Sequence, residues 1–322
     1  MALKPNDTDH ALQIQAGTTG RKRGHEFESE LSNLINSITQ PIIRIDSSES
    51  IIKGEPHLSL IQKALYHLNW SSCTNVEAIA LGALATAEGG KKWLEVQGVK
   101  VKACKSDILL TLYNDSSIES IGVSVKQCNN KTPTNAQLYF TTAIAFCRLL
   151  QRNNISVSEK AINSLKQFCG DEGFRPLDHP EKMLGRSVDP RRYFWEETEK
   201  SGRLELENIF STRQDQITKL LLQKAYLNDP FSPELLIHKT KKIEYGDQEF
   251  AIYSIDELIT LSRNYSSFEK KEYSVRKGQY KDPEHIKHEA PRFGIVQMQR
   301  GGQKQHPTQL QFNLQAGYFY KI

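Results

Sequence analysis

The chain has 322 residues, a formal net charge of +4 and 38% hydrophobic residues, enough for one large or two medium domains with their own core. Its longest apolar run, residues 78–87, is too short to cross a bilayer, and no membrane association is expected. Five cysteines (Cys73, Cys104, Cys128, Cys147 and Cys169) are odd in number and never spaced C-x-x-C, which fits free thiols in a reducing cytoplasm.

Residues 1–19 are polar, lack the apolar segment of a signal peptide, and are expected to form a tail. A helix follows over 20–38, where Phe27, Leu31, Leu34, Ile35 and Ile38 recur at helical spacing. Glu28 lies at the edge of that stripe, Glu26 and Glu30 further toward solvent. An acid there also suits the helix dipole. A short strand (PIIRIDS) leads to two expected helices, 57–69 and 74–88, the second stopped by Gly89-Gly90. The run WLEVQGVKVK reads as a strand.

Residues 104–113 and 118–127 both alternate in polarity around the turn formers Asn114-Asp115-Ser116-Ser117. Pairing Tyr113 with Ile118 sets Leu110 against Ile121 and Ile108 against Val123, with Leu112 and Val125 on the same apolar side. A slip of one residue would turn those aliphatics into water, so the pattern fixes the register. The other side places Asp107 across from Ser124, with Lys126 on the diagonal. Opposed residues lie about 4.5–5.5 Å apart and diagonal ones about 7–8 Å. Such residues are common on a solvated hairpin face. They are also what metal-assisted attack on a phosphodiester requires: an acid for a hard cation and an ammonium beside developing negative charge.

The pattern Ser106-Asp107, an interval of sixteen residues, then Ser124-Val125-Lys126, resembles the PD-(D/E)xK nuclease superfamily, and within it the type II restriction endonucleases. The chain departs from the family at Ser106, often Pro, and at Ser124, where a second carboxylate is expected. Gln127 to Ser158 contains no Asp or Glu, so a replacement acid has to come from upstream. The stretch Gly24 to Glu28 resembles the superfamily's first-helix G-x-x-F-E element, which implies Glu28 as that carboxylate, with Glu88 and Glu95 as weaker alternatives. The resemblance implies Asp107 and Glu28 as Mg²⁺ ligands, Lys126 as the residue orienting and stabilising the nucleophilic water, and Ser124 in support. The expected fold class is α/β, a restriction-endonuclease-like core with a mixed central sheet flanked by helices. An added helical segment and a C-terminal β-rich recognition part complete it.

Beyond the hairpin, 135–151 is expected as an apolar helix, and a further core strand is expected but not placed. Residues 155–227 look mostly helical. Within them, Arg191, Arg192, Tyr193 and Trp195 suit either a phosphate-and-stacking surface or core. Asn228-Asp229-Pro230 marks the boundary, giving a tail (1–19), a catalytic core with a helical insertion (20–227) and a target-recognition region (228–322).

From Ala290 on, 33 residues hold seven Gln and no acid. The expected strands FGIVQMQ and QLQFNL, turned by Gly301-Gly302, set Val296, Met298, Leu310, Phe312 and Leu314 on one face. Amides occupy the other, expected to point outward. Gln and Asn can bond adenine edges and Arg guanine edges. Arg292, Gln297, Gln299, Arg300, Gln303, Lys304, Gln305, Gln309, Gln311 and Asn313 are therefore candidate DNA-binding residues. Between Glu269 and Ile322, ten Lys/Arg against five Asp/Glu suit phosphate contacts.

Other signals fail. Gly301-Gly302-Gln303-Lys304 lacks phosphate-loop spacing, so no nucleotide cofactor is expected. His285 and His288 have no Cys or third His nearby and suit a surface helix better than zinc. The expectation is a Mg²⁺-dependent, sequence-specific double-stranded DNA endonuclease acting as a homodimer. A structure-specific or repair nuclease, and a non-catalytic DNA-binding protein with a degenerate core, stay open.

Overall fold

The computed structural model describes residues 8–46, 49–81, 94–96, 98–101, 104–128, 134–184, 189–224, 230–240, 248–265, 268–272, 287–300 and 308–316. In chain order these form α1 (Thr8–Asn36), β1 (Ile42–Ile43), β2 (Ile51–Lys53), α2 (Pro56–His67), β3 (Ser72–Cys73), β4 (Asn75–Ala80), β5 (Leu94–Val96) and β6 (Val99–Val101). The hairpin β7 (Ile108–Tyr113) and β8 (Ile118–Gln127) comes next, then β9 (Ala136–Thr142), α3 (Ala143–Arg152), α4 (Glu159–Cys169), α5 (Lys200–Thr212) and α6 (Gln214–Gln223). Apart from short helical turns at Pro176–Asp178, Pro180–Met183 and Trp195–Glu197, the rest are β10 (Pro233–Lys239), β11 (Glu249–Ser254), α7 (Ile255–Ser262), β12 (Phe268–Glu272), β13 (Lys287–Phe293), β14 (Val296–Arg300) and β15 (Gln309–Leu314). No helix among the described residues is long and apolar enough to cross a membrane.

The chain forms two compact units that interleave in sequence. One comprises Met1–Ala136, Lys219–Ile259 and Gln315–Ile322, the other Gln137–Thr218 and Thr260–Leu314.

The first unit is built on a six-stranded sheet in the order β2-β11-β10-β8-β7-β4. The β7–β8 hairpin has the expected register, Tyr113 against Ile118 through Ile108 against Val123. The unplaced core strand is β10. It runs parallel to β8, whereas β10 with β11 and β4 with β7 are antiparallel, so the sheet is mixed. A parallel neighbour needs a crossover, and residues 128–232 provide it. One sheet face carries Ile108, Leu110, Leu112, Val123, Val125, Leu235 and Ile237 against Phe27, Leu31 and Ile35 of α1 and Leu60, Ile61, Ala64 and Leu65 of α2. Each fully buried Leu or Ile contributes roughly 1.5–3 kcal/mol, so this layer fixes α1, and Glu28 with it, to the hairpin. Leu34 of the predicted stripe remains exposed.

Several local expectations need correction. Helix α1 begins at Thr8, inside the expected tail. The stretch expected as a helix over 74–88 is strand β4 over its first part, and 82–93 lies outside the described residues. Val76 and Ala78 are buried with Glu77 exposed between them, and pairing with β7 outweighs the helix propensity of an Ala-rich run. The expected helix 135–151 divides into β9 and α3, with Thr142 Oγ1 capping α3 by accepting from Ala145 N.

The second unit carries a five-stranded sheet, β12-β13-β14-β15-β9. Its core is aromatic: Phe146 lies 4.7 Å from Phe312, and Phe210 lies 4.8 Å from Phe293, ring centre to centre. Trp195 is fully buried, edge-on to Phe168, and Tyr193 and Phe194 are buried beside it. Core, not a stacking surface, is the role of these aromatics. The expected strand 293–299 is cut by a turn at Gly294, whose φ of 64° an L side chain rarely adopts. A Cβ there would collide with Ser262 Oγ at 1.8 Å. His288 sits buried in β13, paired with Glu196, not on a surface helix.

All five cysteines are free; Cys73, Cys128, Cys147 and Cys169 are buried and Cys104 half-buried. Burial pushes the Cys147 thiol up to about 12, leaving it unreactive.

Candidate active site

Asp107 precedes β7, yet its amide donates to Val123 O at 2.9 Å, extending the ladder so that it faces Ser124. Leu81 N donates to Asp107 O at 2.8 Å from the other side, and Ser106 Oγ donates to Phe231 O at 2.7 Å. The Asp107 backbone is therefore held by both flanking strand connections.

Its carboxylate is used unevenly. Oδ2 accepts from Val125 N at 2.6 Å, Lys126 Nζ at 3.2 Å and Ser124 Oγ at 3.3 Å. Among the described residues Oδ1 accepts nothing. Lys126 Nζ also donates to Ser124 Oγ at 2.9 Å and Val125 O at 2.8 Å, so three acceptors engage an ammonium with three donors. The Asp107 and Lys126 side chains keep 23% and 18% of their surface exposed. The sheet brings together the trio expected from the hairpin pattern.

Glu28 is buried on α1. Its Oε2 accepts from His25 Nδ1 at 3.2 Å, and Oε1 accepts nothing among the described residues. Burial first, and the Asp107 charge second, raise the Glu28 pKa; the His25 bond and the Lys126 charge act the other way. Glu28 thus stands within electrostatic reach of the hairpin pair without bonding it. A Cβ at Gly24 would lie 3.9 Å from both Gln127 Nε2 and Glu28 Oε1, so this turn of α1 rests on the end of β8. Of the weaker alternatives, Glu95 lies in β5 and Glu88 lies outside the described residues.

Sequence reasoning passed over two histidines here. His238 of β10 lies opposite Lys126 in the parallel ladder and is buried. Burial, then the Lys126 charge, pushes its pKa down to about 3, so it is neutral. A lone His in the aliphatic run LLIHK was the available signal. His25, one turn before Glu28, was visible only as an i,i+3 neighbour.

The amide strands pair with Gln297 against Asn313 and Gln299 against Gln311. The outward face expected of them is closed in part, because Gln297 and Asn313 are buried. Their amides serve one another: Gln299 Nε2 donates to Gln297 Oε1, Gln311 Nε2 to Asn313 Oδ1, and Asn313 Nδ2 to Gln299 Oε1, at 3.0–3.2 Å. Gln299, Gln309 and Gln311 remain half-buried. Both arginines are turned inward. Arg292 is buried, donates to Gly294 O and lies 4.5 Å from the Tyr265 ring centre. Arg300 donates to Tyr193 O and lies 4.6 Å from the Phe194 ring centre. Gln303, Lys304 and Gln305 lie outside the described residues.

Among the described residues no group of three or more His, Cys, Asp or Glu side chains could hold a metal ion. The candidate donor set is two carboxylates, each with one oxygen uncommitted among the described residues. That fits a hard divalent cation, which keeps several of its waters and needs only one or two protein carboxylates.

No family model matches the sequence, and no curated protein matches it. Among solved structures, the restriction endonuclease MspI in complex with its cognate DNA is similar to this chain. The sequence identity is 13% and the TM-score 0.48, over 93% of this chain and 92% of that one.

Proposed function

We propose that the chain is a Mg²⁺-dependent endonuclease that cleaves double-stranded DNA at a short palindromic site, in the manner of type II restriction enzymes. The observation carrying this reading is the Asp107–Ser124–Lys126 constellation on one hairpin, with the buried Glu28 carboxylate in its field. Asp107 Oδ1 and Glu28 Oε1 are the atoms that would hold the cation. The bound ion would polarise the phosphoryl oxygens and lower the pKa of a water.

The remaining roles belong to the chain. Lys126 presents a fixed ammonium where negative charge develops on the attacked phosphodiester. Ser124 holds Lys126 and Asp107 in place through its hydroxyl. His238, neutral beside Lys126, adds no second cation that would repel the metal.

Base readout falls to Gln299, Gln309 and Gln311, with buried Gln297 orienting Gln299 and buried Asn313 orienting Gln299 and Gln311. Gln303, Lys304 and Gln305 join them in this proposal. The internal bonds of Arg292 and Arg300 make them supports of that sheet. Two scissile bonds in a palindrome need two sites related by a twofold, so the enzyme acts as a homodimer in the cytoplasm, without a nucleotide cofactor.

The deciding experiment is digestion of phage DNA by the purified protein with Mg²⁺, followed by sequencing of fragment ends. Discrete fragments with one shared end sequence are expected. A smear, or cleavage confined to branched DNA, would replace this reading with a structure-specific nuclease. Inertness at every Mg²⁺ concentration would leave a DNA-binding protein without catalysis.

A further inference from the structure

We propose that His25 is a positioning residue, which orients the Glu28 carboxylate so that one oxygen remains directed to a divalent cation. The inference rests on Asp107 and Glu28 being the metal-binding pair. His25 and Glu28 are one turn apart on α1, where i and i+3 side chains meet. Since an ionised carboxylate only accepts, His25 Nδ1 carries the proton of their 3.2 Å hydrogen bond. That bond is the only side-chain hydrogen bond of Glu28 among the described residues, and it engages Oε2 while Oε1 is left over.

The reverse is equally specific. Among the described residues His25 Nε2 is buried without a hydrogen bond, so within them the carboxylate is the one polar partner of the ring. A histidine serving only to tie α1 down would bond to another element, whereas among the described residues this one bonds only within its own helix. With 23% of its side chain exposed, His25 also contributes modest packing. Ligating carboxylates depend on such outer hydrogen bonds, whose loss costs about 10–100-fold in metal affinity.

The test is calorimetric titration of Mn²⁺ into the full-length protein without DNA, alongside thermal melting. His25→Ala is expected to bind Mn²⁺ at least about tenfold more weakly while melting as the wild type does. His25→Asn, whose amide can donate from near the Nδ1 position, is expected to recover most of the affinity. In a Glu28→Gln background, His25→Ala should change the affinity no further, because the contact it removes is already altered. Wild-type affinity in His25→Ala, or an undiminished effect in the Glu28→Gln background, overturns the proposal. So does a loss that Asn fails to recover and that tracks a lowered melting temperature. If the wild type itself takes up no Mn²⁺, the metal-binding pair is what fails, and the positioning role goes with it.

Discussion

Lys126 Nζ stands 3.2 Å from Asp107 Oδ2, the same oxygen that takes the Val125 amide at 2.6 Å. One carboxylate oxygen is thereby committed to fixing the hairpin, and its twin accepts nothing among the described residues. Asp107→Ala and Lys126→Ala should each abolish cleavage, with losses of at least about 100-fold expected for removing an oriented charge stabiliser. Single-turnover cleavage of a defined duplex measures the loss, and gel retardation checks that DNA binding survives. Either variant cutting at the wild-type rate rejects the assignment.

Burial first, and the Asp107 charge second, favour the protonated form of Glu28 and raise its pKa. The sign follows directly. An acid whose pKa is raised by folding supports the native state below its ordinary value of 4.5 and loses that support as pH rises through the raised value. Glu28→Gln should therefore melt higher than the wild type at pH 7.5, the gap closing toward pH 4, while cleavage falls. Equal melting temperatures at pH 7.5 would show that the carboxylate is not held at a cost.

His238 gives the opposite slope. Its native pKa of about 3 lies below the ordinary 6.5, so the unfolded chain takes up a proton first as pH falls. Stability from this group is complete above about pH 6.5 and declines below it by up to about 1.4 kcal/mol per pH unit, until native His238 titrates. His238→Gln removes that decline. Urea midpoints at pH 7 and pH 4.5 should differ less in the variant than in the wild type, and identical differences would contradict the buried neutral imidazole.

The hairpin was readable from sequence because one continuous aliphatic face admits a single register, as the Leu110–Ile121 and Ile108–Val123 pairs found in the sheet illustrate. The place of Glu28 on a helix packed against that sheet was readable because an apolar stripe ties the helix down. What stayed hidden was decided by partners distant in the chain. The run Asn75–Ala80 has helical composition but is recruited as a strand by β7. Strand β10 could not be paired with β8 without knowing that residues 128–232 form the crossover. The amide face was visible as alternation, but alternation alone does not say which of the two faces is covered, and Gln297 and Asn313 are buried as deeply as their apolar neighbours.

The amide ladder separates two kinds of residue that composition alone groups together. Gln311 is half-buried and reaches a neighbouring amide, whereas Arg300 is bonded to the Tyr193 carbonyl and lies against Phe194. Gln311→Ala should relax the choice of cleavage site, read from sequenced fragment ends, and lower melting only by the loss of its one bond to Asn313. Arg300→Ala should lower the melting temperature without changing the fragment ends, since it removes a charged donor's hydrogen bond to the Tyr193 carbonyl, worth about 1.5–3 kcal/mol. Relaxed fragment ends from Arg300→Ala at unchanged stability would reverse these assignments.

Gly122 of β8 lies where the segments before β7 and before β10 pass close to its backbone. A Cβ there would lie 2.3 Å from Ser106 Oγ and 2.5 Å from the Ser232 carbonyl, both far inside contact distance. The start of β10 follows immediately, with an irregular register between Pro233 and Leu235. Gly122→Ala must therefore displace backbone or break the Ser106–Phe231 hydrogen bond, and overpacking of this kind costs about 1–3 kcal/mol. Because Ser106 adjoins Asp107, the displacement reaches the candidate metal ligand, and cleavage should fall further than the loss of folded protein explains. Urea denaturation gives the first quantity and cleavage per folded molecule the second. A variant with wild-type stability would mean that the β8–β10 junction has room for a methyl group, and that Asp107 is not held by this packing.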